Sequence, residues 1–371
     1  MFKYIVDYKN FLLIKKNKNQ EIKLLKKLKF NLHKKIVQSF SEKYEYAFKS
    51  VNLRKYKHFK NINIIGMGGS SLGIKAIYNF FGTKIKKKFT FIDNINLKKN
   101  YNKNLKSLNL VISKSGNTLE TISNFKCLKN KKNNLFICEN TNNQIRSLAK
   151  KLKSEIIDHR NYIGGRYSVL SEVGMLPASL MGLSPKKFKR FDNLIKDKRF
   201  VNSLISNVSS TVSLIKKKKF NSIILNFDEN SEDLFKWYQQ LIAESLGKKT
   251  NGLLPVISNL PRDNHSMMQL YLDGPRNNFY TFFDVLDYSK NSYLAKIKLA
   301  QKKATKIVFK KKKLPFRSFN LRNRSEGSLG EIFTFFMLET ILIGEALNLN
   351  PFDQPAVEQI KIETKKIIKN L

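Results

Sequence analysis

The sequence has few of the residues that mark secreted or metal-binding proteins. Its 371 residues include two cysteines, one tryptophan and four histidines. Cys127 and Cys138 are too few for the disulfide framework of a small secreted domain, and we expect both to be reduced thiols. No two histidines stand at metal-ligand spacing. We therefore expect a cytoplasmic protein that holds no metal ion.

Acidic residues are also scarce. The chain has 28 aspartates and glutamates against 70 lysines and arginines, which gives a formal net charge of +42. Only 11 of the basic residues are arginine, and the 59 lysines are spread along the whole chain. Such a charge attracts any polyanion in a salt-dependent way. Specific nucleic-acid binding needs clustered charge and a recognition motif, and because neither is present we interpret the lysines as solvated surface and expect no specific nucleic-acid partner.

Long apolar runs are absent as well. The most apolar stretch, residues 332–347, contains Glu339, Gly344 and Glu345 and is shorter than the roughly 20 residues that a transmembrane helix needs. Even so, 42% of the residues are hydrophobic and 28 are phenylalanine, which is typical of a globular chain with a sizeable core. The composition predicts a globular protein with no membrane partner.

Strand-like and helix-like patterns alternate from residue 61 onward, which predicts the α/β fold class. Short apolar runs bounded by polar turns, typical of buried parallel strands, occupy residues 62–65, 89–92, 108–112 and 135–138. A second series places a strand at 222–227, a helix at 233–246 and a strand at 279–285. We predict N-terminal helices in residues 1–50, three-layer α/β/α subdomains with parallel sheets in 51–200 and 201–330, and closing C-terminal helices in 331–371.

Two turns that follow predicted strands are rich in glycine and hydroxyl groups. Residues 66–73 read Gly-Met-Gly-Gly-Ser-Ser-Leu-Gly, and residues 113–118 read Ser-Lys-Ser-Gly-Asn-Thr. Backbone N–H groups in such a turn, together with the N-terminus of the next helix, attract an anion. The first turn has neither the dinucleotide-binding glycine spacing nor a P-loop lysine. Two such turns at one edge of a parallel sheet would converge on a single phosphate, whereas ordinary helix capping does not readily explain both.

Five motifs together resemble the glucose-6-phosphate isomerase family. In the family's order and approximate spacing over about residues 60–361, they are residues 66–73, Gly-Gly-Arg-Tyr-Ser-Val at 164–169, Glu-Ser-Leu-Gly-Lys at 244–248, Asn-His-Ser at 264–266, and Asp-Gln-Pro-Ala-Val-Glu-Gln-Ile-Lys at 353–361. The resemblance implies two sugar-isomerase (SIS-type) subdomains. It also implies reversible interconversion of glucose 6-phosphate and fructose 6-phosphate through a cis-enediol, a step of glycolysis and gluconeogenesis that uses no metal or cofactor. The chain resembles the short bacterial members of the family, and the family resemblance implies a homodimer with shared active sites.

Two other functions stay open on the sequence alone. One is a dual glucose/mannose-phosphate isomerase of the same fold. The other is a non-catalytic sugar-phosphate-sensing module that binds nucleic acid through its basic surface. The full set of reactive residues and the absence of a helix-turn-helix pattern argue against the sensing module.

The reaction dictates which side chains the site needs. Moving a proton between C1 and C2 of an opened sugar requires one base that faces both carbons, an acid or base at the ring oxygen, a cation beside the enediolate, and a phosphate clamp. By resemblance, Glu244 is the proton-shuttling base, His265 and Lys361 act at the ring oxygen, and Arg166 stabilises the enediolate. Gln240 lies one helical turn before Glu244 and is therefore on the same helix face. The predicted phosphate ligands are Ser70, Ser113, Lys114, Ser115, Thr118 and Gln240, and further sugar contacts come from Gly69 and Gln354.

Overall fold

The structure is a computed structural model that describes residues 5–12, 14, 17–97, 106–289 and 292–370. The strands in these residues are β1 (Val6–Lys9), β2 (Asn61–Ile65), β3 (Lys88–Ile92), β4 (Ser107–Ile112), β5 (Asn134–Glu139), β6 (Glu155–His159), β7 (Asn221–Asn226), β8 (Leu254–Asn259), β9 (Asn278–Val285) and β10 (Phe316–Leu321). The helices are α1 (Lys18–Asn31), α2 (Lys35–Gln38), α3 (Arg54–Lys57), α4 (Leu72–Phe81), α5 (Leu119–Lys126), α6 (Gln144–Lys151), α7 (Glu172–Leu180), α8 (Pro185–Phe188), α9 (Phe191–Leu194), α10 (Lys198–Lys216), α11 (Glu232–Leu246), α12 (Met268–Asp273), α13 (Tyr293–Lys311), α14 (Glu326–Ala346) and α15 (Pro355–Asn370).

The first sheet is parallel throughout and has the strand order β3-β2-β4-β5-β6. Its central strand β4 is buried at every position. Alternate residues of the strands contribute to two separate apolar clusters, one of which includes side chains of α4 and α7 and the other those of α5 and α6. Helices therefore cover both faces, as parallel sheets require. The four strands predicted from the sequence are confirmed to within one residue.

The second sheet has the order β1-β10-β9-β7-β8, and its strands are parallel except for β1. β1 pairs antiparallel with β10, with Val6 opposite Leu321. The prediction of helices in residues 1–50 did not include this strand. A strand of only four residues gives a weak local signal, and the pairing that stabilises it joins positions more than 300 residues apart.

Helix α14 belongs to the interior of the protein. With 21 residues, α14 is long and apolar enough to cross a membrane, but 94% of its most apolar 18-residue stretch is buried inside the protein. It is therefore a core helix, packed against α8, α10 and α11. It carries the apolar run that begins at residue 332. The predicted domain boundaries stay a prediction, and the one at residue 331 falls inside this helix.

The carboxyl ends of β2 and β4 mark the edge at which the candidate residues meet. The glycine-rich turn follows β2, and the hydroxyl-rich turn follows the neighbouring strand β4. From the second half of the chain, α11 packs against α4 and against the 3-10 segment Gly165–Leu170. This packing brings a helix from one sheet to the turns of the other.

Candidate active site

The turn after β2 and the Gly164–Arg166 segment touch backbone to backbone. A Cβ atom at Gly69 would lie 2.2 Å from the carbonyl carbon of Gly165 and 2.8 Å from the backbone nitrogen of Arg166. Because no side chain fits into that gap, Gly69 is required for the approach. The contact holds Arg166 beside the glycine-rich turn.

We expect Gly69→Ala to lower the free energy of unfolding by about 1–3 kcal/mol, because an added methyl group must push the two backbones apart. Gly164→Ala is the matched control, since a Cβ atom there would meet only Tyr167 at 3.8 Å. Its effect should stay within about 0.5 kcal/mol. Urea denaturation of both variants measures the difference. Equal losses in the two variants would contradict the close-contact account of Gly69.

Glu244 lies on α11 and contacts two of the predicted site residues. Its Oε2 atom accepts a hydrogen bond from Arg166 Nη1 at 3.0 Å, and its Oε1 atom accepts one from Gln240 Nε2 at 2.8 Å. The Glu244 side chain is 28% exposed, whereas the Arg166 side chain is 1% exposed. A Cβ atom at Gly68 would lie 2.9 Å from Gln240 Nε2, so this amide lies between the glycine-rich turn and the Glu244 carboxylate.

The Arg166 guanidinium is fixed from several directions. Its Nε donates to Ser245 Oγ at 2.8 Å, and its Nη1 also donates to Gln354 Oε1 at 2.5 Å. Its Nη2 donates to the backbone carbonyls of Pro351 and Asp353, at 2.8 and 2.9 Å. A buried guanidinium with this many acceptors has one orientation and keeps its charge.

A second ion pair holds the 350–354 segment against the end of α11. Lys248 Nζ lies 2.7 Å from Asp353 Oδ1 and also donates to the Asp353 backbone carbonyl. Hydrogen bonding from Lys248 holds the pKa of the Asp353 carboxyl below its usual value. The sequence motif at 244–248 includes Ser245 and Lys248, but the motif alone assigns them no role, because their partners Arg166 and Asp353 are distant in sequence.

The two hydroxyl-bearing turns are neighbours. A Cβ atom at Gly66 would lie 2.9 Å from both the Ile112 carbonyl oxygen and Ser70 Cβ, so Ser70 is next to the end of β4. There the buried Ser113 shares a hydrogen bond of 2.8 Å with Thr118.

The other two candidates in the second turn are engaged differently. Lys114 lies 3.5 Å from Glu139, and Ser115 is exposed.

The structure does not bring His265 or Lys361 to this group. His265 follows the 3-10 segment Arg262–Asn264, is exposed, and forms no hydrogen bond or ion pair through its side chain with the residues that the structure describes. Lys361 lies on α15 and pairs with Glu358 of the same helix. The residues of α15 up to Ile368 are all exposed.

The chemical inventory of the site is a carboxylate, a fixed guanidinium, two adjacent anion-attracting turns and two amides. Over the described ranges, no group of three or more histidines, cysteines, aspartates or glutamates is arranged to hold a metal ion. A carboxylate beside a fixed cation can move a proton next to a developing oxyanion.

Comparisons with known proteins point to one family. The model of the family described as phosphoglucose isomerase matches residues 28–260. A Methanococcus maripaludis protein named "Probable glucose-6-phosphate isomerase" is 31% identical, over 88% of this chain and 86% of its own length. The glucose-6-phosphate isomerase of Methanocaldococcus jannaschii is 30% identical, over 86% of this chain and 87% of its own length.

Solved structures show the same fold. A hypothetical protein from Thermus thermophilus superposes with a TM-score of 0.77 at 21% identity and covers 94% of both chains. A glucose-6-phosphate isomerase from Chlamydia trachomatis superposes with a TM-score of 0.72 at 18% identity and covers 96% of this chain and 75% of that one.

Proposed function

The chain belongs to the phosphoglucose isomerase family, and on that premise we propose that its site interconverts glucose 6-phosphate and fructose 6-phosphate. The observation that carries the proposal is the contact of Glu244 with a buried, fully liganded Arg166, beside two turns suited to a phosphate. An aldose–ketose isomerase needs this combination of base, cation and anion site.

In the proposed reaction, Glu244 moves one proton. Its carboxylate takes the proton from C2 of the opened aldose, which leaves a cis-enediolate charged at O1. A proton then passes from the C2 hydroxyl to O1, and Glu244 returns the first proton to C1 to form the ketose. Arg166 stays charged throughout and stabilises the oxyanion that develops between these steps. The hydrogen bond from Gln240 holds Glu244 Oε1, the carboxylate oxygen that Arg166 does not contact, in place.

The proposed phosphate site lies between the two neighbouring turns. Ser70, Ser113 and Thr118 supply hydroxyl groups, and helices α4 and α5, which begin directly behind the turns, add the partial positive charge of their N-termini. Gln240 Nε2 carries two protons, so it can donate to Glu244 and to a phosphate oxygen at once. Lys114 and Ser115 remain proposed ligands, and Lys114 would have to leave Glu139 to contact the phosphate.

A coupled assay that measures fructose 6-phosphate formed from glucose 6-phosphate tests the proposal directly. We expect turnover in the presence of EDTA. Mannose 6-phosphate, supplied in parallel, distinguishes the dual isomerase, and absence of turnover with either sugar would support the sensing module. The names of the similar proteins favour neither alternative.

Lys361 requires a further step to reach the site. Gln354 already contacts Arg166, so α15 begins beside the site, and seven residues of helix span about 10 Å. The exposed side chains of Val357, Ile360 and Ile368 share the helix face next to which Lys361 lies. We propose that docking of this apolar face turns Lys361 towards the sugar ring oxygen.

We expect Lys361→Ala to lower kcat by roughly 10²-fold, the usual size of a lost general acid or base. Lys366→Ala is a matched control, because Lys366 lies on the same helix and pairs with Glu363 in the same (i, i+3) geometry as Lys361 with Glu358. It should keep wild-type activity in the same coupled assay. Similar losses in both variants would assign the effect to helix stability instead of proton transfer.

We further propose a cytoplasmic homodimer in which His265 enters the site of the neighbouring subunit. The exposure of the His265 ring and its lack of a partner among the described residues support this arrangement. The substrate is the only partner proposed besides the second subunit; the lysine-rich surface calls for no specific nucleic acid and no membrane.

A further inference from the structure

A buried histidine and a buried glutamate lie together at the base of the loop that carries Arg166. His159 is the last residue of β6 and Glu172 is the first residue of α7, and Arg166 lies between them. The side chains of His159 and Glu172 are 1% and 0% exposed, and His159 Nδ1 lies 3.6 Å from Glu172 Oε2. Side chains therefore join the two ends of the loop 160–171.

The His159 ring also fixes the loop just before its glycines. Its Nε2 atom lies 3.2 Å from the backbone carbonyl of Ile163, which can only accept a hydrogen bond. The N–H of Ile163 in turn donates to the carbonyl of Arg160. With Nε2 protonated and Nδ1 facing a carboxylate, the ring links the residue that precedes Gly164 to the residue that begins α7.

Glu172 is held in turn from the N-terminal part of the chain. Tyr44 Oη lies 2.8 Å from both carboxylate oxygens, and the backbone N–H of Ala47 donates to Oε1 at 3.1 Å. Burial alone would raise the pKa of the Glu172 carboxyl, but the interactions with His159, Ala47 and Tyr44 outweigh burial and hold that pKa below its usual value.

A buried lysine completes the surroundings of this pair. Lys189 Nζ lies 4.6 Å from the centre of the Tyr44 ring and donates to the backbone carbonyl of Ser39. Burial lowers the pKa of Lys189 to about 7, against the opposing effect of the carboxylates of Glu172 and Asp192. Glu172 is therefore surrounded by polar groups from Tyr44, Ala47, His159 and Lys189.

Stability alone gives little reason for such a pair. Removing a carboxylate and an imidazole from water is costly, and well-packed apolar residues often do as well or better. What these side chains add, through the hydrogen bonds from His159 to Ile163 and from Tyr44 and Ala47 to Glu172, is direction. Direction is what the Arg166 loop requires, because Gly165 must touch Gly69 without room for a methyl group while Arg166 points at Glu244.

We propose that His159, Glu172 and Tyr44 form a clasp that closes the loop 160–171 and thereby sets the position of the Arg166 guanidinium. They are positioning residues: His159 hydrogen-bonds Ile163, Glu172 accepts from Tyr44 and Ala47, and the His159 ring lies 3.6 Å from the Glu172 carboxylate. The inference rests on the proposed function, in which Arg166 stabilises the enediolate.

A double-mutant cycle tests whether the clasp acts through Arg166. We expect His159→Phe to lower kcat roughly 10-fold or more with little change in KM, because a small displacement of a catalytic group affects the transition state most. In an Arg166→Ala background, the same substitution should change kcat by less than about twofold, since residues that act through one another are not additive. His33→Phe, at an exposed histidine, is the control for the substitution itself.

The conservative variant Glu172→Gln provides a rescue measurement. Its amide oxygen can still accept from Tyr44 and Ala47, and its amide nitrogen can donate to Nδ1 of a neutral His159 ring whose Nε2 proton remains on Ile163. We expect kcat within about threefold of wild type, whereas Glu172→Leu should match His159→Phe. If His159→Phe does not fold, Tyr44→Phe takes its place in the cycle.

Calorimetric titration with 6-phosphogluconate, which mimics the enediolate charge, and with inorganic phosphate separates a displaced Arg166 from a poorly folded protein. The clasp variants should bind 6-phosphogluconate more weakly, with unchanged stoichiometry and unchanged phosphate affinity. Equal losses of kcat in the wild-type and Arg166→Ala backgrounds would overturn the clasp alone. Wild-type kcat in Arg166→Ala itself would overturn the proposed role of Arg166, and the clasp with it.

Discussion

Replacing Glu244 with glutamine is expected to lower kcat by roughly 10²-fold or more while the folded protein still binds its phosphosugar. Glutamine has the shape of glutamate, so its oxygen can still accept from Arg166 Nη1, and the guanidinium keeps its remaining acceptors. An amide cannot take a proton from carbon, and therefore the loss falls on turnover. The coupled assay gives kcat and KM, and calorimetry with 6-phosphogluconate gives the number of intact sites.

Glu45→Gln is the matched control for this substitution. Glu45 is 76% exposed and pairs only with Lys49 among the described residues, so its loss should leave kcat unchanged. Turnover of Glu244→Gln within tenfold of wild type would assign the base to another residue. A low kcat together with a reduced number of titrated sites would instead indicate a folding defect.

Mixed dimers of Glu244→Gln and His265→Ala are expected to regain about a quarter of wild-type activity from two inactive parents. The two proteins are unfolded together and refolded, so that random pairing makes about half of the dimers mixed. If each site combines Glu244 of one chain with His265 of the other, one site of a mixed dimer carries both substitutions and the other carries neither. Half of the sites in half of the dimers are then intact.

The structure supplies a control for this complementation. Arg166 and Glu244 of one chain are in contact at 3.0 Å, so they belong to the same site. Mixing Glu244→Gln with Arg166→Ala therefore leaves a lesion in every site, and no activity should return. If the His265→Ala mixture also stays inactive, His265 serves its own chain and the shared-site proposal is wrong, whether or not the protein is an isomerase.

The strands, turns and helix faces that depend only on residues near each other in sequence could be predicted from the sequence. The strand at 62–65 and its neighbours in the first sheet are apolar runs between polar turns, and a parallel strand buried on both faces has that composition wherever it packs. The two turns proposed to bind phosphate could be predicted from glycine and hydroxyl residues directly after strands. Gln240 and Glu244 share a face because a helix turn is about four residues.

Other features depend on partners that are distant in sequence, and only the tertiary structure decided them. β1 forms because it pairs with β10. Ser245 is placed in the candidate site by its 2.8 Å hydrogen bond from Arg166. The clasp of His159, Glu172 and Tyr44 has no motif, since its members lie on separate elements that packing brings together.

His265 and Lys361 also show that sequence motifs do not decide which side chains come into contact. The motifs that contain them are local, yet in the described chain the His265 ring is exposed and the Lys361 side chain pairs with Glu358. Residue type and spacing determined which chemistry this chain can perform. Which of its groups meet was decided by tertiary packing, because contact between distant residues follows from burial of apolar surface and pairing of buried polar groups over the whole chain.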